Sequence, residues 1–345
     1  MKVAVVLFNL GGPDSPEAVE PFLQNLFSDA AVIPLPKLLR LLLARMIARR
    51  RAPIAQDIYS LIGGRSPILE ETEAQARALE AVLSTRGIEA KCFIAMRAWK
   101  PFAAEAARAV RKWQPDRIVL LPLYPQFSTT TTASSLEDWK EAAREAKITT
   151  PPARVCCYPW LDGFIAAEAA LIMATLSERR PGVDYRLLLS AHGLPKRTIS
   201  RGDPYQWQVE KTAQAIVDRL GIASLDWQLC YQSRVGPLEW IGPSTDAEVK
   251  RAGAEERGLV VAPIAFVSEH SETLVELDIE YARLAQETGV PHYLRVPAVG
   301  TQNLFLDGLA DLVVQAMERQ RVVTCAQGRI CPSSFARCGY GAANV

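Results

Sequence analysis

Two of the three histidines stand where a short apolar run ends, the position at which α/β proteins keep their reactive side chains. His192 follows the run 185–191, and His270 follows the run 259–265. A neutral imidazole can accept a proton near pH 7 or bind a metal ion through nitrogen. For His192 the alternative is a core side chain hydrogen-bonded to a carbonyl group. His292, near the start of a strand, is interpreted as structural.

Glutamates recur through the helical pattern that contains His270. The four residues are spaced by three, four and four positions: Glu269, Glu272, Glu276 and Glu280. On one continuous helix they would form a single acidic stripe. Most such stripes are solvated surfaces, but like charges at this spacing repel unless a cation or protons are shared. Because the stripe begins at the end of a strand, it predicts cation binding or proton transfer.

Short apolar runs alternate with amphipathic helical stretches along the chain, which predicts a doubly wound α/β fold with parallel sheets. Strands are predicted at 3–9, 90–95, 117–123, 154–158, 185–190, 227–231, 259–265 and 293–296. Helices are predicted at 67–85, 101–113, 134–146, 161–179, 205–220 and 271–288. Open parallel sheets bind ligands beyond the carboxyl ends of their strands, so the histidines and glutamates are expected at such an edge.

The alternation is expected to build two similar Rossmann-like lobes with a ligand cleft between them. Residues 117–128 and 259–269 share one plan, an apolar strand that opens into a polar loop and a helix. The sequence lacks the phosphate-binding pattern G-x-G-x-x-G of nucleotide-binding α/β proteins. The predicted parts are an N-terminal lobe at 1–155 with an apolar lip at 33–51, a C-terminal lobe at 156–321 and a cysteine-bearing tail at 322–345.

Composition limits the classes to which the chain could belong. Of its 345 residues, 39 are basic and 38 acidic, and the net charge of +1 gives no global field for nucleic acid. No stretch reaches the roughly 18 apolar residues of a membrane span. The N-terminus lacks the basic leader and small-residue cleavage site of a signal peptide. We therefore expect a cytoplasmic protein whose membrane contact, where there is any, is peripheral and on the inner face.

Eight segments resemble the successive signatures of ferrochelatases, in that family's order, and cover residues 4 to about 316. They are 10–14 (LGGPD), 59–67 (YSLIGGRSP), 96–97 (MR), 123–128 (LYPQFS), 190–195 (SAHGLP), 201–205 (RGDPY), 231–237 (YQSRVGP) and 263–276 (PIAFVSEHSETLVE). The resemblance implies two lobes with a porphyrin bound between them. It also implies a lyase that inserts Fe²⁺ into protoporphyrin IX with release of two protons, the last step of haem biosynthesis.

The same resemblance assigns an iron site. His192 is implied as the Fe²⁺ ligand or the acceptor of a pyrrole proton, and Glu272 as the second iron-site residue, across the macrocycle from it. Glu276 and His270 are implied to continue a polar route away from the ring. The chemistry is coherent, because a porphyrin loses two pyrrole protons as it gains iron and needs a base within hydrogen-bonding reach. Imidazole and carboxylate also suit ferrous iron.

Further residues match the family's porphyrin pocket. Arg97 is implied at the inner end of the cleft, and Arg50 and Arg51 could pair with the propionates, because guanidinium matches carboxylate. The apolar lip at 33–51, with its basic rim, would collect the porphyrin from an anionic membrane surface; the alternative is an ordinary amphipathic helix. The remaining implied pocket residues could each instead be core packing: Leu10, Tyr59, Tyr124, Phe127, Trp240 and Phe266.

Three of the seven cysteines lie in the last twenty-one residues: Cys325, Cys331 and Cys338. In a cytosolic chain such clustering predicts a metal or cluster site before disulfides. Some ferrochelatases hold a [2Fe–2S] cluster on three C-terminal cysteines and an internal one, and such centres commonly use four thiolates. Thr129 stands where animal members place the internal cysteine, so Cys157, or its neighbour Cys156, is implied as the fourth ligand. A zinc site and a tail without metal are the alternatives.

Two other functions are open from the sequence. Insertion of iron into coproporphyrin would differ in substrate, which carries two more carboxylates. A haem- or iron-binding protein without catalysis would have less use for an acidic route that moves protons. The sequence leaves the oligomeric state open, with a homodimer as one expectation.

Overall fold

The strands of the described chain are parallel and fall into two sheets, as the alternation of apolar runs and helices predicts. The structure is a computed structural model described over residues 1–234, 236, 238–319 and 321–341; Val235, Pro237, Gln320 and 342–345 lie outside the described residues. The strands are β1 (Lys2–Asn9), β2 (Glu89–Met96), β3 (Arg117–Pro122), β4 (Pro152–Cys157), β5 (Tyr185–His192), β6 (Trp227–Gln232), β7 (Gly258–Pro263), β8 (Tyr293–Arg295) and β9 (Val322–Thr324).

Helices connect the strands, as crossovers between parallel strands require. They are α1 (Val19–Phe27), α2 (Lys37–Ser60), α3 (Ile68–Thr85), α4 (Ala103–Trp113), α5 (Thr132–Glu145), α6 (Asp162–Leu176), α7 (Lys196–Ser200), α8 (Tyr205–Leu220), α9 (Thr245–Ala254), α10 (Ser271–Leu274), α11 (Tyr281–Glu287) and α12 (Asn303–Arg319). A 3₁₀ turn covers Pro16–Ala18 and a π-helical turn covers Glu276–Glu280. Among the described helices, none combines the length and the apolar character needed to cross a membrane.

Unit 1 of the chain comprises Met1–Tyr158, Leu309–Ile330 and Cys338–Val345. Its sheet has the order β2-β1-β3-β4-β9. Strand β1 is apolar on both faces and is buried from Val3 to Asn9 because helices cover the sheet on each side. In the core, the ring of Phe8 meets the edge of Trp139 from α5 at a centroid distance of 6.3 Å.

Unit 2 comprises Pro159–Gly308 and Cys331–Arg337, and its sheet has the order β6-β5-β7-β8. The central strand β5 places His192 beside Gln232 of β6, and Ser190 beside Pro263 of β7. Apolar residues of β5, β7, α9 and the following helices form the core. Because the strands are parallel, β5, β6 and β7 all end at the same edge of this sheet.

The eight strands predicted from the sequence are all present, with ends shifted by at most two residues. The sequence does not predict the ninth strand, β9, because three residues are too few for a recognisable pattern. Strand β9 extends the sheet of unit 1 by pairing with β4. The prediction of one helix over 271–288 is wrong. A π-helical turn interrupts it, with the Glu280 N–H donating to the Val275 carbonyl, five residues earlier, at 2.9 Å.

The units differ from the predicted lobes at 1–155, 156–321 and 322–345. The first unit continues to Tyr158, and residues 309–330 belong to it as well. The physical reason is the pairing of β9 with β4, which draws the end of α12 and the start of the tail into unit 1. Residues 331–337 belong instead to unit 2, where the Phe335 ring lies 5.9 Å from that of Trp207.

Candidate active site

The candidate site lies at the edge of unit 2 where three neighbouring strands end. His192 is the last residue of β5, Gln232 is the last of β6, and Ser233 follows it directly. Strand β7 is followed by a loop and by α10, which carries Glu272. The parallel register brings these strand ends together, as the sequence predicts for His192 and the acidic segment.

His192 and Glu272 are in direct contact, with Nδ1 of the imidazole 3.1 Å from Oε2 of the carboxylate. Both side chains are open to solvent, with 36% and 28% of their surfaces exposed, so neither is shut behind the core. The expectation that Glu272 lies across a macrocycle from His192 is therefore wrong for this structure. Strands β5 and β7 are adjacent, and the segment after β7 places Glu272, on α10, directly against His192 at the end of β5.

Each group of this pair favours the charged form of the other. Partial burial lowers the pKa of His192, but the nearby charge of Glu272 outweighs it, so the His192 pKa is raised above 6.5. Burial raises the pKa of Glu272, yet contacts with His192 and His270 hold it well below the ordinary value of 4.5. In the neutral form of His192, with its proton on Nδ1 beside the carboxylate, Nε2 is the imidazole nitrogen left to accept a proton.

His270 is fixed in one tautomer by its backbone. Its Nδ1 lies 3.0 Å from the carbonyl oxygen of Ser268, so that nitrogen carries a proton and donates. The other nitrogen, Nε2, lies 3.9 Å from Oε2 of Glu272. The His270 backbone N–H donates to Thr273 Oγ1 at 3.0 Å, which begins α10. His270 thus faces the same carboxylate as His192.

Glu276 receives hydrogen bonds on both carboxylate oxygens. Oε1 accepts from the Ser233 backbone N–H at 2.8 Å and from the Tyr281 hydroxyl at 3.1 Å. Oε2 accepts from the Gln232 amide at 3.0 Å and from the Ser233 hydroxyl at 2.5 Å. Burial and the charge of Glu272 raise the Glu276 pKa, and these donors oppose the rise without cancelling it. Glu276 therefore takes up a proton more readily than Glu272.

Gln232 and Ser233 belong to the site, although sequence reasoning did not select them. Gln232 is fully buried: its Oε1 accepts from Ser190 at 2.8 Å, and its Nε2 donates to the Glu272 carbonyl oxygen at 2.8 Å. Both residues lie in the segment 231–237 that carried the family resemblance. Their position just after β6, beside the strand that ends in His192, was the signal that could have found them.

The predicted single stripe of four glutamates is wrong. Glu269 lies before α10, and its Oε1 pairs with Nη1 of Arg295 at 2.5 Å. Arg295 also holds Asp278, in the π-helical turn, through two nitrogens at 2.6 Å each. Glu280 is exposed. The π-helical turn changes the angular spacing along the segment, so only Glu272 and Glu276 converge on the site.

Two of the implied pocket aromatics lie beside His192. The ring of Phe266 is 6.4 Å from that of His192 and 4.6 Å from that of His270. Trp240 packs near Gly193, where an added Cβ would come within 3.3 Å of its ring. The indole Nε1 is buried without a hydrogen-bond partner among the described residues. The Tyr205 hydroxyl donates to the His192 carbonyl oxygen at 3.0 Å and steadies the end of β5.

The other implied pocket residues lie in unit 1. Tyr59 and Phe127 are buried, the first against α1 and the second against Cys156 and Cys157, which is core packing. Leu10, after β1, is half-buried on the same cluster as Tyr59. The remaining residues are less buried. Arg50 is exposed and Arg51 is half-buried, both on α2, and Tyr124 is half-buried against the core.

Arg97 is held by a short polar network in unit 1. Its Nη2 pairs with Oδ2 of Asp29 at 2.9 Å, and its Nε donates to Ser134 Oγ at 2.6 Å. The Ser134 hydroxyl in turn donates to Asp29 Oδ2 at 2.5 Å. The Tyr124 hydroxyl is buried nearby without a hydrogen-bond partner in the described chain, and burial raises its pKa above the ordinary value.

The predicted cluster ligands divide between the units. In unit 1, the Cys156 thiol contacts those of Cys157 and Cys338, and these contacts together with burial raise the Cys156 pKa well above its ordinary value. Cys325 is tied to Cys157 by a backbone hydrogen bond of 3.3 Å. In unit 2, Cys331 accepts a hydrogen bond from Gln208 at 3.1 Å. Across the described residues, no group of three or more His, Cys, Asp or Glu side chains is arranged to hold a metal ion.

The fold is that of chelatases. SirB from Bacillus subtilis with Fe³⁺ has a TM-score of 0.54 and 12% identity, over 93% of this chain and 97% of that chain. Sirohydrochlorin chelatase SirB from Bacillus subtilis subspecies spizizenii in complex with cobalt also has a TM-score of 0.54 and 12% identity, over 92% and 97%. At such identity the likeness shows the fold alone. The chain therefore has a chelatase-like fold, with an imidazole–carboxylate pair at the ends of its strands.

The sequence relatives narrow this class to one family. The ferrochelatase of Phenylobacterium zucineum strain HLK1 is 55% identical over 340 residues, 98% of each chain. The ferrochelatase of Caulobacter vibrioides strain NA1000 is 53% identical over 340 residues, 98% of this chain and 97% of that one. The ferrochelatase family model matches residues 2–317. The chain belongs to the ferrochelatase family.

Proposed function

We propose that this chain is a lyase that inserts ferrous iron into protoporphyrin IX to form protohaem, the terminal step of haem biosynthesis. The observation that carries the proposal is the contact of His192 with Glu272 at 3.1 Å, at the open edge of the unit 2 sheet. An imidazole backed by a carboxylate is a base suited to pyrrole protons, and both groups can bind Fe²⁺ as it passes. The names of the relatives support the same reaction.

The reaction must remove two protons for each iron inserted. His192 Nε2 accepts a pyrrole proton, and the imidazolium so formed is stabilised by the Glu272 carboxylate beside it. Glu276, with its raised pKa, is the neighbouring group on which a released proton comes to rest. The Phe266 ring packs near both imidazoles, with its centroid 6.4 Å from that of His192 and 4.6 Å from that of His270. His192, Glu272 and Glu276 thus have different roles in the proton transfer.

The experiment is a fluorescence assay of the anaerobic protein with free porphyrin, with and without Fe²⁺. We expect loss of free-porphyrin fluorescence that depends on Fe²⁺, is catalytic in protein and produces protohaem. Binding without turnover would instead support a haem- or iron-binding protein. Protoporphyrin and coproporphyrin are offered in the same assay, and preference for coproporphyrin would contradict the proposed substrate.

We also propose that α2 makes peripheral contact with an anionic membrane surface. Three alanines on one face of α2 are buried within unit 1: Ala44, Ala48 and Ala52. On another face, Leu38 and Leu42 are 78% and 69% exposed, with Met46 continuing the row. Arg45 and Arg50 are exposed beside this row. Exposed leucines with neighbouring arginines favour an interface that is apolar and anionic.

Replacing Leu38 and Leu42 with glutamate is expected to weaken binding to anionic phospholipid vesicles by about tenfold or more. Burial of a leucine stabilises by about 1.5–3 kcal/mol, and added negative charge is repelled by the lipid. Co-sedimentation with vesicles measures the change. The matched control is Leu304→Glu, because Leu304 is 51% exposed but lies on α12. Equal binding of the double variant and the control would contradict membrane contact through α2.

The oligomeric state is a separate prediction. Sedimentation of the protein without vesicles would test the expected homodimer.

We further propose that Cys157, Cys325, Cys331 and Cys338 bind a [2Fe–2S] cluster, with Cys156 as the alternative internal ligand. Four thiolates are the donors such a cluster needs. The contact of Cys156 with Cys338 supports a gathering of thiols at the end of β4. The four thiols are therefore suitable donors for the cluster. Their arrangement does not match one, because the described residues contain no preformed metal site. No step of iron insertion is therefore assigned to the cluster.

Anaerobically purified protein is expected to be reddish, with the visible absorption of an oxidised [2Fe–2S] cluster and matching iron and sulfide content. Cys338→Ser should remove the absorption, because serine replaces a required thiolate. Cys92→Ser, at a half-buried cysteine in β2, is the matched control and should keep the colour. A colourless wild-type protein with little bound iron would contradict the cluster.

A further inference from the structure

The Ser233 hydroxyl lies between the two carboxylates of the site. Its Oγ donates to Glu276 Oε2 at 2.5 Å and lies 3.4 Å from Glu272 Oε2. The Ser233 backbone N–H also donates to Glu276 Oε1, at 2.8 Å. One residue therefore holds both oxygens of Glu276 and at the same time reaches the carboxylate that pairs with His192.

The backbone of Ser233 has a φ of +61°, in the left-handed region that residues with a Cβ rarely adopt. Glycine would adopt this conformation without strain. The turn itself therefore gives no reason for a serine side chain. What the side chain adds is a hydroxyl placed between Glu272 and Glu276.

We propose that Ser233 relays a proton from Glu272 to Glu276 during iron insertion, an inference that rests on the proposed function. A proton that reaches Glu272 Oε2 from His192 passes to Ser233 Oγ, while the hydroxyl proton of Ser233 passes to Glu276 Oε2. One O–H bond forms on Oγ as the other breaks, so the serine stays neutral. Glu272 is again a carboxylate, Glu276 is a carboxylic acid, and rotation of the hydroxyl resets the relay.

The distances suit such a relay. Groups that exchange protons lie about 2.6–3.2 Å apart, so the Ser233–Glu272 contact of 3.4 Å must shorten by only about 0.2 Å. Gln232 holds the two glutamates in register. Its single amide nitrogen donates to the Glu272 carbonyl oxygen at 2.8 Å and to Glu276 Oε2 at 3.0 Å. Ser233 acts through these groups and is therefore a positioning and relay residue.

The test compares three variants: Ser233→Ala, Ser233→Gly and Ser233→Asn. Alanine removes the hydroxyl, and glycine removes it while fitting the left-handed turn, which guards against a failure to fold. Asparagine also tolerates this backbone, and its amide can still donate to Glu276, but an amide does not pass a proton on. Melting temperature and porphyrin binding are measured for each variant.

We expect kcat to fall about tenfold or more in all three variants, with the KM for porphyrin changed less than about twofold. The solvent isotope effect of D₂O on kcat should rise, because proton transfer becomes slower. Near-normal kcat in the alanine or glycine variant would overturn the relay. Recovery with asparagine would also overturn it, since holding Glu276 would then suffice. His192→Ala is measured in the same assay. If His192→Ala keeps its turnover, the proposed function is contradicted. If His192→Ala loses turnover while Ser233→Ala remains normal, only the relay is contradicted.

Discussion

His192→Ala should lower iron insertion by about 10²–10⁴-fold, the contribution typical of a positioned general base. Without the imidazole, no group at the end of β5 takes the pyrrole proton, and Glu272 loses its partner at 3.1 Å. The measurement is Fe²⁺-dependent loss of protoporphyrin fluorescence at saturating porphyrin. The fold should persist, because the His192 side chain is partly exposed and lies at the end of its strand.

His292→Ala is the matched control for that experiment. His292 precedes β8, and its Nδ1 accepts a hydrogen bond of 2.6 Å from the Tyr185 hydroxyl, away from the site. It should turn over at the wild-type rate. Near-normal insertion by His192→Ala, with folding intact, would remove the chemical basis of the proposed function.

Glu272→Gln should both slow turnover and move the acid side of the pH profile. In the wild type, the Glu272 charge raises the His192 pKa above 6.5. His192 must be neutral to accept a proton, so wild-type activity should rise with pH as the imidazole deprotonates through that raised pKa. With glutamine, partial burial still lowers the His192 pKa while the opposing charge is gone. The acid limb should therefore move to lower pH, while the maximal rate falls by about tenfold or more because the imidazolium is no longer stabilised.

The measurement is kcat/KM against pH for the variant, the wild type and Glu280→Gln. Glu280 lies on the same segment but is exposed, so its replacement removes one negative charge without touching the pair. Glu280→Gln should keep the wild-type profile. An acid limb that does not move in Glu272→Gln would mean that the carboxylate does not control the protonation of His192.

The sequence predicted the two sheets and the edge at which the chemistry lies. Apolar runs buried on both faces identify parallel strands, and parallel strands end together. His192 and Glu272 could therefore be assigned to one edge before any coordinates. Their direct contact could not, because it depends on side-chain directions at the ends of β5 and α10 that no periodicity records.

Other features were hidden for local reasons. A π-helical turn differs from an α-helix in that each backbone N–H donates to the carbonyl five residues earlier instead of four, and the glutamate spacing in the sequence looks the same in either case. The left-handed conformation of Ser233 leaves no signature when the residue is not glycine. Strand β9 is three residues long, so its pairing with β4 is a property of the folded sheet and not of its own sequence.

The position of the reactive carboxylates depends on an arginine in an edge strand. Arg295, in the three-residue strand β8, grips Glu269 before α10 and Asp278 beyond Glu276. One guanidinium thus anchors both ends of the stretch that bears His270, Glu272 and Glu276. Substitutions in β8 would therefore alter the chemistry of the site from a distance. We expect β8 to tolerate fewer substitutions than an edge strand ordinarily does.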